Sequence, residues 1–218
     1  MTRARVAVLI SGRGSNMAAL IEAARADKKF PAEIALVVSN RTDAAGLATA
    51  RAAGIATAVI DHEKFPGREA FEQAVHARLE AERIALVCLA GFMRKLTPWL
   101  VQRWDGRMIN IHPSLLPAFK GLDTHARALQ AGVRIHGASV HFVTADLDAG
   151  PIIAQAAVPV LDRDTEDTLA ARVLAAEHRI YPLALKLLAE GRVRLVDGRC
   201  VVDGAIAADG LLIAPQAG

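Results

Sequence analysis

The chain has 218 residues and a net charge of +3, and hydrophobic residues make up 53% of it while aromatic residues make up only 4%. It has no apolar run of about 18 residues that could span a membrane, no disulfide framework and no secretory cleavage pattern, so we expect a cytoplasmic protein without membrane contact. Its basic residues are scattered and are not interleaved with aromatic ones, so we expect no nucleic-acid partner.

The first predicted elements are a buried strand over residues 5–11, a glycine-rich turn over residues 12–16 and a helix over residues 17–26. Glycines let the backbone approach a ligand closely, and the free amides and dipole of a helix start attract an anion. The dinucleotide fingerprint is excluded because Met17 occupies the position of its third glycine. The turn predicts a phosphate site, although a plain tight turn, with Ser15 or Asn16 as an ordinary helix cap, fits the same pattern.

Strands and helices then alternate along the chain. We predict strands over residues 33–39, 56–60, 84–90 and 107–111, and helices over residues 44–53, over residues 68–81 and from Pro98. This alternation is typical of an α/β fold with a mostly parallel, twisted sheet and helices on both faces. Ligands of such folds gather at the carboxyl ends of the strands, which here carry residues 11–16, residues 91–96 and His112.

The pattern changes after residue 123, where an antiparallel portion is predicted. A helix over 123–131 precedes two long strands, 134–144 and 152–160, which the acidic loop 146–151 joins as a hairpin. The longest helix covers 165–190, and a terminal hairpin follows at 193–196 and 200–203. We find no repeat and no linker, so we predict a single domain over 1–218, with a loosely held tail beyond Ala205.

The stretch MINIHPSLLPAFKG, residues 108–121, carries the most informative pair of side chains. Asn110 and His112 stand two residues apart on a predicted strand, so both point to the same face. An amide donor beside an imidazole suits a carbonyl that becomes an oxyanion while a nearby nitrogen loses a proton. An isolated pair of this kind also fits a histidine whose hydrogen bonds are satisfied at a strand end.

A carboxylate near His112 would stabilise the cationic form of its ring. Asp148 in the hairpin loop is the predicted partner because Gly150 and Pro151 fix the backbone beside it, and Asp146 is the competing choice. His141, on the strand before this loop, either supports the site or only packs on its own strand.

A metal site is an alternative use of the histidines. The candidate ligands are His112, His125, His136 and His141 with Asp148. However, the chain has no His-Glu-x-x-His motif, no Cys/His ligand spacing and no acidic cluster, so we expect no metal. A serine nucleophile is also disfavoured, because Ser114 follows a proline and lies outside a Gly-x-Ser-x-Gly turn.

Five stretches are distinctive together: LISGRGSN (9–16), AGFMRKLTP (90–98), NIHPSLLPAFKGLDTH (110–125), HGASVHFVTADLDAGPII (136–153) and EHRIYP (177–182). The third and fourth stretches in combination are specific to folate-type formyltransferases, and the glycine-rich turn and the length resemble the phosphoribosylglycinamide formyltransferases among them. The similarity runs from Val6 to about Gly191. It implies a Rossmann-like formyltransferase fold.

The resemblance implies transfer of a formyl group from 10-formyltetrahydrofolate, a co-substrate, to the amine of glycinamide ribonucleotide in purine biosynthesis. The products would be N-formylglycinamide ribonucleotide and tetrahydrofolate, and no metal is needed. Residues 1–112 would form roughly the nucleotide-binding half, 113–191 would complete the folate site, and 192–218 would form the terminal hairpin and tail. We expect these small molecules as partners, and a monomer or a homodimer.

The resemblance also assigns roles to individual positions. The catalytic group is Asn110, His112 and Asp148, with His141 in support. The ribonucleotide contacts are Gly14, Ser15, Asn16 and Glu177. The folate contacts are Arg68, Met93, Arg94, Lys95, Leu96, Asn110, Thr144, Ala145, Asp146, Leu147 and Asp148. Two positions depart from the family pattern: Leu174 replaces a polar residue, and Asp123 replaces a common histidine.

Three other functions fit parts of this pattern. A formyltetrahydrofolate deformylase would use water in place of the amine, but its relatives usually carry an N-terminal regulatory domain, and the first strand here begins near Arg5. A methionyl-tRNA formyltransferase usually carries a C-terminal nucleic-acid-binding domain, for which we expect no room after Gly191. A non-catalytic nucleotide- or folate-binding module would not need Asn110, His112 and Asp148 together.

Overall fold

The computed structural model describes residues 3–204 and residue 214. Nine strands, six α-helices and a short 3-10 helix (His62–Lys64) follow one another along these residues. The strands are β1 (Ala4–Ile10), β2 (Ala32–Ser39), β3 (Ala56–Val59), β4 (Leu86–Leu89), β5 (Met108–His112), β6 (Ile135–Phe142), β7 (Ile152–Pro159), β8 (Val193–Val196) and β9 (Arg199–Val202). The helices are α1 (Ser15–Ala26), α2 (Gly46–Ala52), α3 (Arg68–Ala81), α4 (Pro98–Arg103), α5 (Thr124–Gln130) and α6 (Glu166–Ala189).

Seven strands form one sheet in the order β3-β2-β1-β4-β5-β6-β7, and β8 pairs with β9 in a separate hairpin. The pairs β1–β2, β2–β3, β1–β4 and β4–β5 are parallel, whereas β5–β6 and β6–β7 are antiparallel. The predicted α/β class with an antiparallel C-terminal portion is therefore confirmed. The chain runs outward from β1 to β3 and then continues on the other side of β1 through β4, so the topological switch point lies between β1 and β4.

Helices cover both faces of the sheet, and β1 contributes side chains to both sides. Val6, Val8 and Ile10 belong to one apolar cluster, while Ala7 and Leu9 belong to another. The first cluster includes side chains of α1, α2, α5 and α6, and the second includes those of α3 and α4. A strand that is buried on both faces has a continuous apolar sequence, which is why this strand is predictable from its sequence.

The predicted boundaries are close to the observed ones, and the differences have local causes. α1 begins at Ser15, earlier than predicted, because Gly14 adopts a left-handed conformation (φ 73°) that ends the turn there. β5 extends to His112 because that residue pairs with Ser139 of β6. The tail predicted to be loosely held lies outside the described residues, apart from residue 214. Within the described ranges, no helix has the length and apolar character needed to cross a bilayer.

Candidate active site

The loops that follow β1 and β4 meet at the switch point of the sheet. Ser11, the residue after β1, donates its backbone N–H to the Gly91 carbonyl at 3.1 Å. Its Oγ accepts the backbone N–H of Met93 at 2.8 Å and donates to Asn40 Oδ1 at 2.6 Å. Because Ser11 is buried, these hydrogen bonds hold the glycine-rich turn beside the loop over residues 91–96.

The glycine-rich turn forms an open cradle at the start of α1. Gly14 is the N-cap residue, and no side chain caps the helix, so the alternative in which Ser15 or Asn16 is an ordinary cap is wrong. The N–H groups of the first turn therefore have no intrahelical acceptor and are available to an anion. Gly46 supports the cradle from behind: its N–H donates to the Gly12 carbonyl at 3.0 Å, and a Cβ there would lie 2.6 Å from Ile10 Cδ1.

Asn16 and Glu177 meet beside this cradle, although 161 residues separate them. Asn16 Nδ2 donates to Glu177 Oε2 at 2.6 Å. Burial raises the pKa of Glu177, and the hydrogen bond from Asn16 partly opposes that effect. Asn16 Oδ1 is buried and has no hydrogen-bond partner within the described part of the chain. An unsatisfied acceptor beside a buried carboxyl group fits a ligand that supplies hydroxyl donors.

His112 lies at the end of β5 and makes contacts through both ring nitrogens. Nδ1 lies 3.4 Å from Asp148 Oδ2, and both side chains are buried. Nε2 donates to the backbone carbonyl of Phe119 at 3.0 Å. Each ring nitrogen of His112 therefore faces an oxygen that can accept a hydrogen bond.

His141 joins Asn110 to the same cluster. Its Nδ1 donates to the Phe142 carbonyl at 2.8 Å, so in the neutral ring Nε2 is the acceptor and receives Asn110 Nδ2 at 3.2 Å. His141 Nε2 also lies 3.8 Å from Asp148 Oδ1. Burial lowers the pKa of His141, although the Phe142 carbonyl and Asp148 oppose this, so the neutral ring is favoured.

The hairpin loop directs Asp148 toward the histidines through an unusual backbone. Asp148 has φ 47°, and its Oδ2 accepts the Gly121 N–H at 2.9 Å. Gly150 is required because a Cβ there would lie 1.8 Å from the Phe142 carbonyl oxygen. Asp146, the competing candidate, is exposed and has no ion pair within the described residues.

The remaining predicted folate residues differ in their exposure to solvent. Met93 is 63% exposed and Leu147 is 55% exposed, whereas Leu96 is buried. Lys95, Ala145 and Asp146 are exposed, and Arg94 and Thr144 are half-buried. Arg68 is exposed at the start of α3, and among the described residues it forms no hydrogen bond or ion pair with Asn110, His112, His141 or Asp148.

Several residues of the site could not be assigned from the sequence. Ser11, Gly46, Phe119 and Gly121 act through backbone groups, close approach or hydrogen bonds to distant segments. The position of Ser11 at a strand end was the one available signal, because strand ends collect ligand loops. Two positions were predicted to depart from the family pattern, Leu174 and Asp123, and no contact among residues 3–204 explains either one.

Two histidines outside the cluster, His125 and His136, pack against each other, and His136 also packs against the loop that follows His112. The rings of His125 and His136 meet edge to face at 5.4 Å, and His136 meets Phe119 at 5.7 Å. Burial lowers the pKa of His136 to about 4, with a smaller contribution from His125. In the described residues, no group of three or more His, Cys, Asp or Glu side chains is arranged to hold a metal ion.

The sequence is similar to proteins of purine biosynthesis. It is 46% identical over 199 residues to the phosphoribosylglycinamide formyltransferase of Escherichia coli K12, covering 91% of this chain and 93% of that protein. It is 53% identical over 193 residues to the human trifunctional purine biosynthetic protein adenosine-3. That match covers 88% of this chain but only 19% of the human protein.

The fold is also similar to that of solved enzymes. The crystal structure of glycinamide ribonucleotide transformylase 1 from Symbiobacterium toebii matches with a TM-score of 0.90 and 47% identity, over 92% of this chain and 94% of that one. The family model described as formyl transferase matches residues 4–185. These residues include the glycine-rich turn, Asn110, His112 and Asp148, and we conclude that the chain belongs to the formyl transferase family.

Proposed function

We propose that this protein transfers the formyl group of 10-formyltetrahydrofolate to the amine of glycinamide ribonucleotide, in de novo purine biosynthesis in the cytoplasm. The observation that carries the proposal is the cluster of Asn110, His112 and Asp148 at the carboxyl end of β5, beside an anion cradle at the end of β1. A non-catalytic binding module would need the cradle but not a buried imidazole–carboxylate pair.

The ribonucleotide would bind at the cradle and extend toward the cluster. Its phosphate would accept N–H groups from the first turn of α1, where Gly14, Ser15 and Asn16 lie. Its ribose hydroxyls would donate hydrogen bonds to Asn16 Oδ1 and to Glu177. The buried Asn16 amide oxygen would thereby gain the donor that it lacks. This arrangement would place the amine at the other end of the ligand, toward Asn110 and His112.

The folate would lie along the two loops that flank the catalytic cluster. The loop of residues 93–96 and the loop of residues 144–148 would hold the pterin, largely through backbone groups. Arg94 and the exposed Arg68 would pair with the anionic glutamate tail. Holding the formyl carbon beside the amine would supply much of the acceleration.

In the chemical step, the amine nitrogen forms a bond to the formyl carbon, and the carbonyl oxygen becomes an oxyanion. Asn110 Nδ2 and cationic His112 stabilise that oxyanion, while Asp148 stabilises the charge on His112. For His112 to reach the substrate, its Nε2–H exchanges the Phe119 carbonyl for the oxyanion. The intermediate then collapses: the bond from carbon to the folate nitrogen breaks, and that nitrogen gains the proton that the amine loses.

Neutral His141 has a supporting role in this scheme. Its Nε2 accepts one hydrogen of the Asn110 amide, so the Asn110 side chain is held with its second N–H free for the oxyanion. A protonated ring would have no acceptor at Nε2 and would release the amide. The buried environment, which lowers the pKa of His141, keeps this contact intact near neutral pH.

The test is whether folate release depends on the ribonucleotide. Enzyme is mixed with 10-formyltetrahydrofolate, and tetrahydrofolate and formylated ribonucleotide are followed with and without glycinamide ribonucleotide. We expect both products to form at equal rates, and only when the ribonucleotide is present. Release of tetrahydrofolate and formate at the same rate without it would identify a deformylase, and binding without turnover would identify a binding module.

A further inference from the structure

Glu72 is a buried acid on α3 that the proposed chemistry does not use. It is 1% exposed, and within the described part of the chain it forms no ion pair with a Lys, Arg or His nitrogen. Its carboxylate instead accepts the backbone N–H of Thr97 at 2.8 Å and the Thr97 hydroxyl. A carboxylate removed from water is costly unless hydrogen bonds satisfy it, so the two bonds to Thr97 are the reason this residue is tolerated here.

Thr97 is the residue at which the loop over 93–96 ends. It is the N-cap of α4, yet its own side chain does not cap that helix. The Thr97 hydroxyl is directed to Glu72 instead, while the Thr97 carbonyl accepts the Val101 N–H of α4 at 3.2 Å, so α3 holds the end of the loop together with the helix that follows.

α3 also holds the beginning of the same loop. Phe71, the neighbour of Glu72, stacks on Phe92 with ring centroids 6.5 Å apart and an interplanar angle of 15°. Both rings are buried in the cluster that also contains Leu96. The loop is therefore fixed at Phe92 and at Thr97. Between these two points Leu96 is buried as well, whereas Met93 and Lys95 are exposed.

The same helix carries the basic residue assigned to the folate tail. Arg68, Phe71 and Glu72 stand at positions i, i+3 and i+4 of α3, a spacing that places them on one side of the helix. A shift of α3 would thus move the loop and Arg68 together.

We propose that Glu72 is a positioning residue for the folate loop, acting through Thr97 on the geometry of residues 93–96. The inference rests on the proposed function, because that function assigns this loop to the folate. The Glu72–Thr97 contact sets folate affinity at the far end of the loop from the cradle. Ser11 joins the cradle to the near end of the loop, at Gly91 and Met93, and Gly46 holds the cradle independently through Gly12, so we expect little effect on ribonucleotide binding.

The experiment compares Glu72→Ala with Glu72→Gln and with the control Glu69→Ala, an exposed acid on the same helix. For each variant, KM is measured for both substrates, and the Kd of tetrahydrofolate is measured by calorimetry. We expect Glu72→Ala to raise the KM and the Kd for the folate about tenfold, because it removes hydrogen bonds to a charged acceptor. The KM for the ribonucleotide should stay within about twofold of wild type. Glutamine can still accept the Thr97 N–H, so Glu72→Gln should retain most of the folate affinity, and Glu69→Ala should change nothing.

A second pair of variants keeps the test decisive if Glu72→Ala fails to fold. Thr97→Ala removes only the hydroxyl contact and should weaken folate binding several-fold, whereas Thr97→Ser should restore it. Equal losses for both substrates, or lowered thermal stability with unchanged folate Kd, would overturn the proposal. Because the Kd measurement does not require turnover, it remains informative even if the ribonucleotide-dependent reaction is absent and the proposed function fails.

Discussion

Acid should weaken the folded state through His136, whose ring packs under the loop that follows His112. His136 is 1% exposed, and its ring contacts Phe119 and His125 edge to face. Burial lowers the pKa of its ring from the ordinary value of 6.5 to about 4. Between these two values the unfolded chain binds a proton at this position and the native protein does not, so stability rises with pH across that window.

The size of the effect follows from the two pKa values. The contribution of His136 is fully present above about pH 6.5, and it is lost as the pH falls toward 4. At pH 5 the loss corresponds to about 1.5 pKa units, or about 2 kcal/mol of the free energy of unfolding. The His136 ring contacts Phe119, whose backbone carbonyl accepts the hydrogen bond from His112 Nε2. Protonation of His136 should therefore also disturb the site.

Urea unfolding of wild type and His136→Phe at pH 7.5 and pH 5, followed by circular dichroism, measures this contribution. Phenylalanine keeps a ring in the same space but cannot bind a proton. The other buried histidines are present in both proteins and affect both in the same way. The difference between the two losses of unfolding free energy therefore reports on His136. We expect wild type to lose about 2 kcal/mol more than the variant over this range. An equal loss in both proteins, or a His136 ring that titrates above pH 6 by NMR, would refute the reasoning.

Two further predictions concern the catalytic cluster. His112→Ala should lower kcat by at least about hundredfold while tetrahydrofolate still binds within about threefold of wild type, because in the proposed function the ring acts on the oxyanion and not on the pterin. Retained turnover would remove His112 from its proposed role. Gly150→Ala should cost roughly 3 kcal/mol of unfolding free energy and much of the activity, since its Cβ would lie 1.8 Å from the Phe142 carbonyl oxygen and would displace Asp148. The matched control is Gly67→Ala, which has extended backbone and open space around it and should cost less than about 1 kcal/mol; equal costs would contradict the steric argument.

The sequence by itself determined the elements whose signals are local. The apolar run of β1, the glycine-rich turn and the alternation of strands with helices predicted the parallel sheet, because burial on two faces and helix periodicity are visible within a dozen residues. Asn110 and His112 both lie on β5 as predicted, opposite His141 and Ser139 of β6.

Other features of the site were decided only by the tertiary structure. The neighbouring Gly150 and Pro151 favoured Asp148 over Asp146 in the sequence. The position of the carboxylate, however, depends on a left-handed backbone at Asp148 and on the approach of Gly150 to Phe142. The contact of Asn110 with His141 joins residues 31 apart, and that of Asn16 with Glu177 joins residues 161 apart. Hydrogen bonds of this kind leave no periodic trace in a sequence, because they depend on where two distant segments are brought together by the packing of the sheet and its helices.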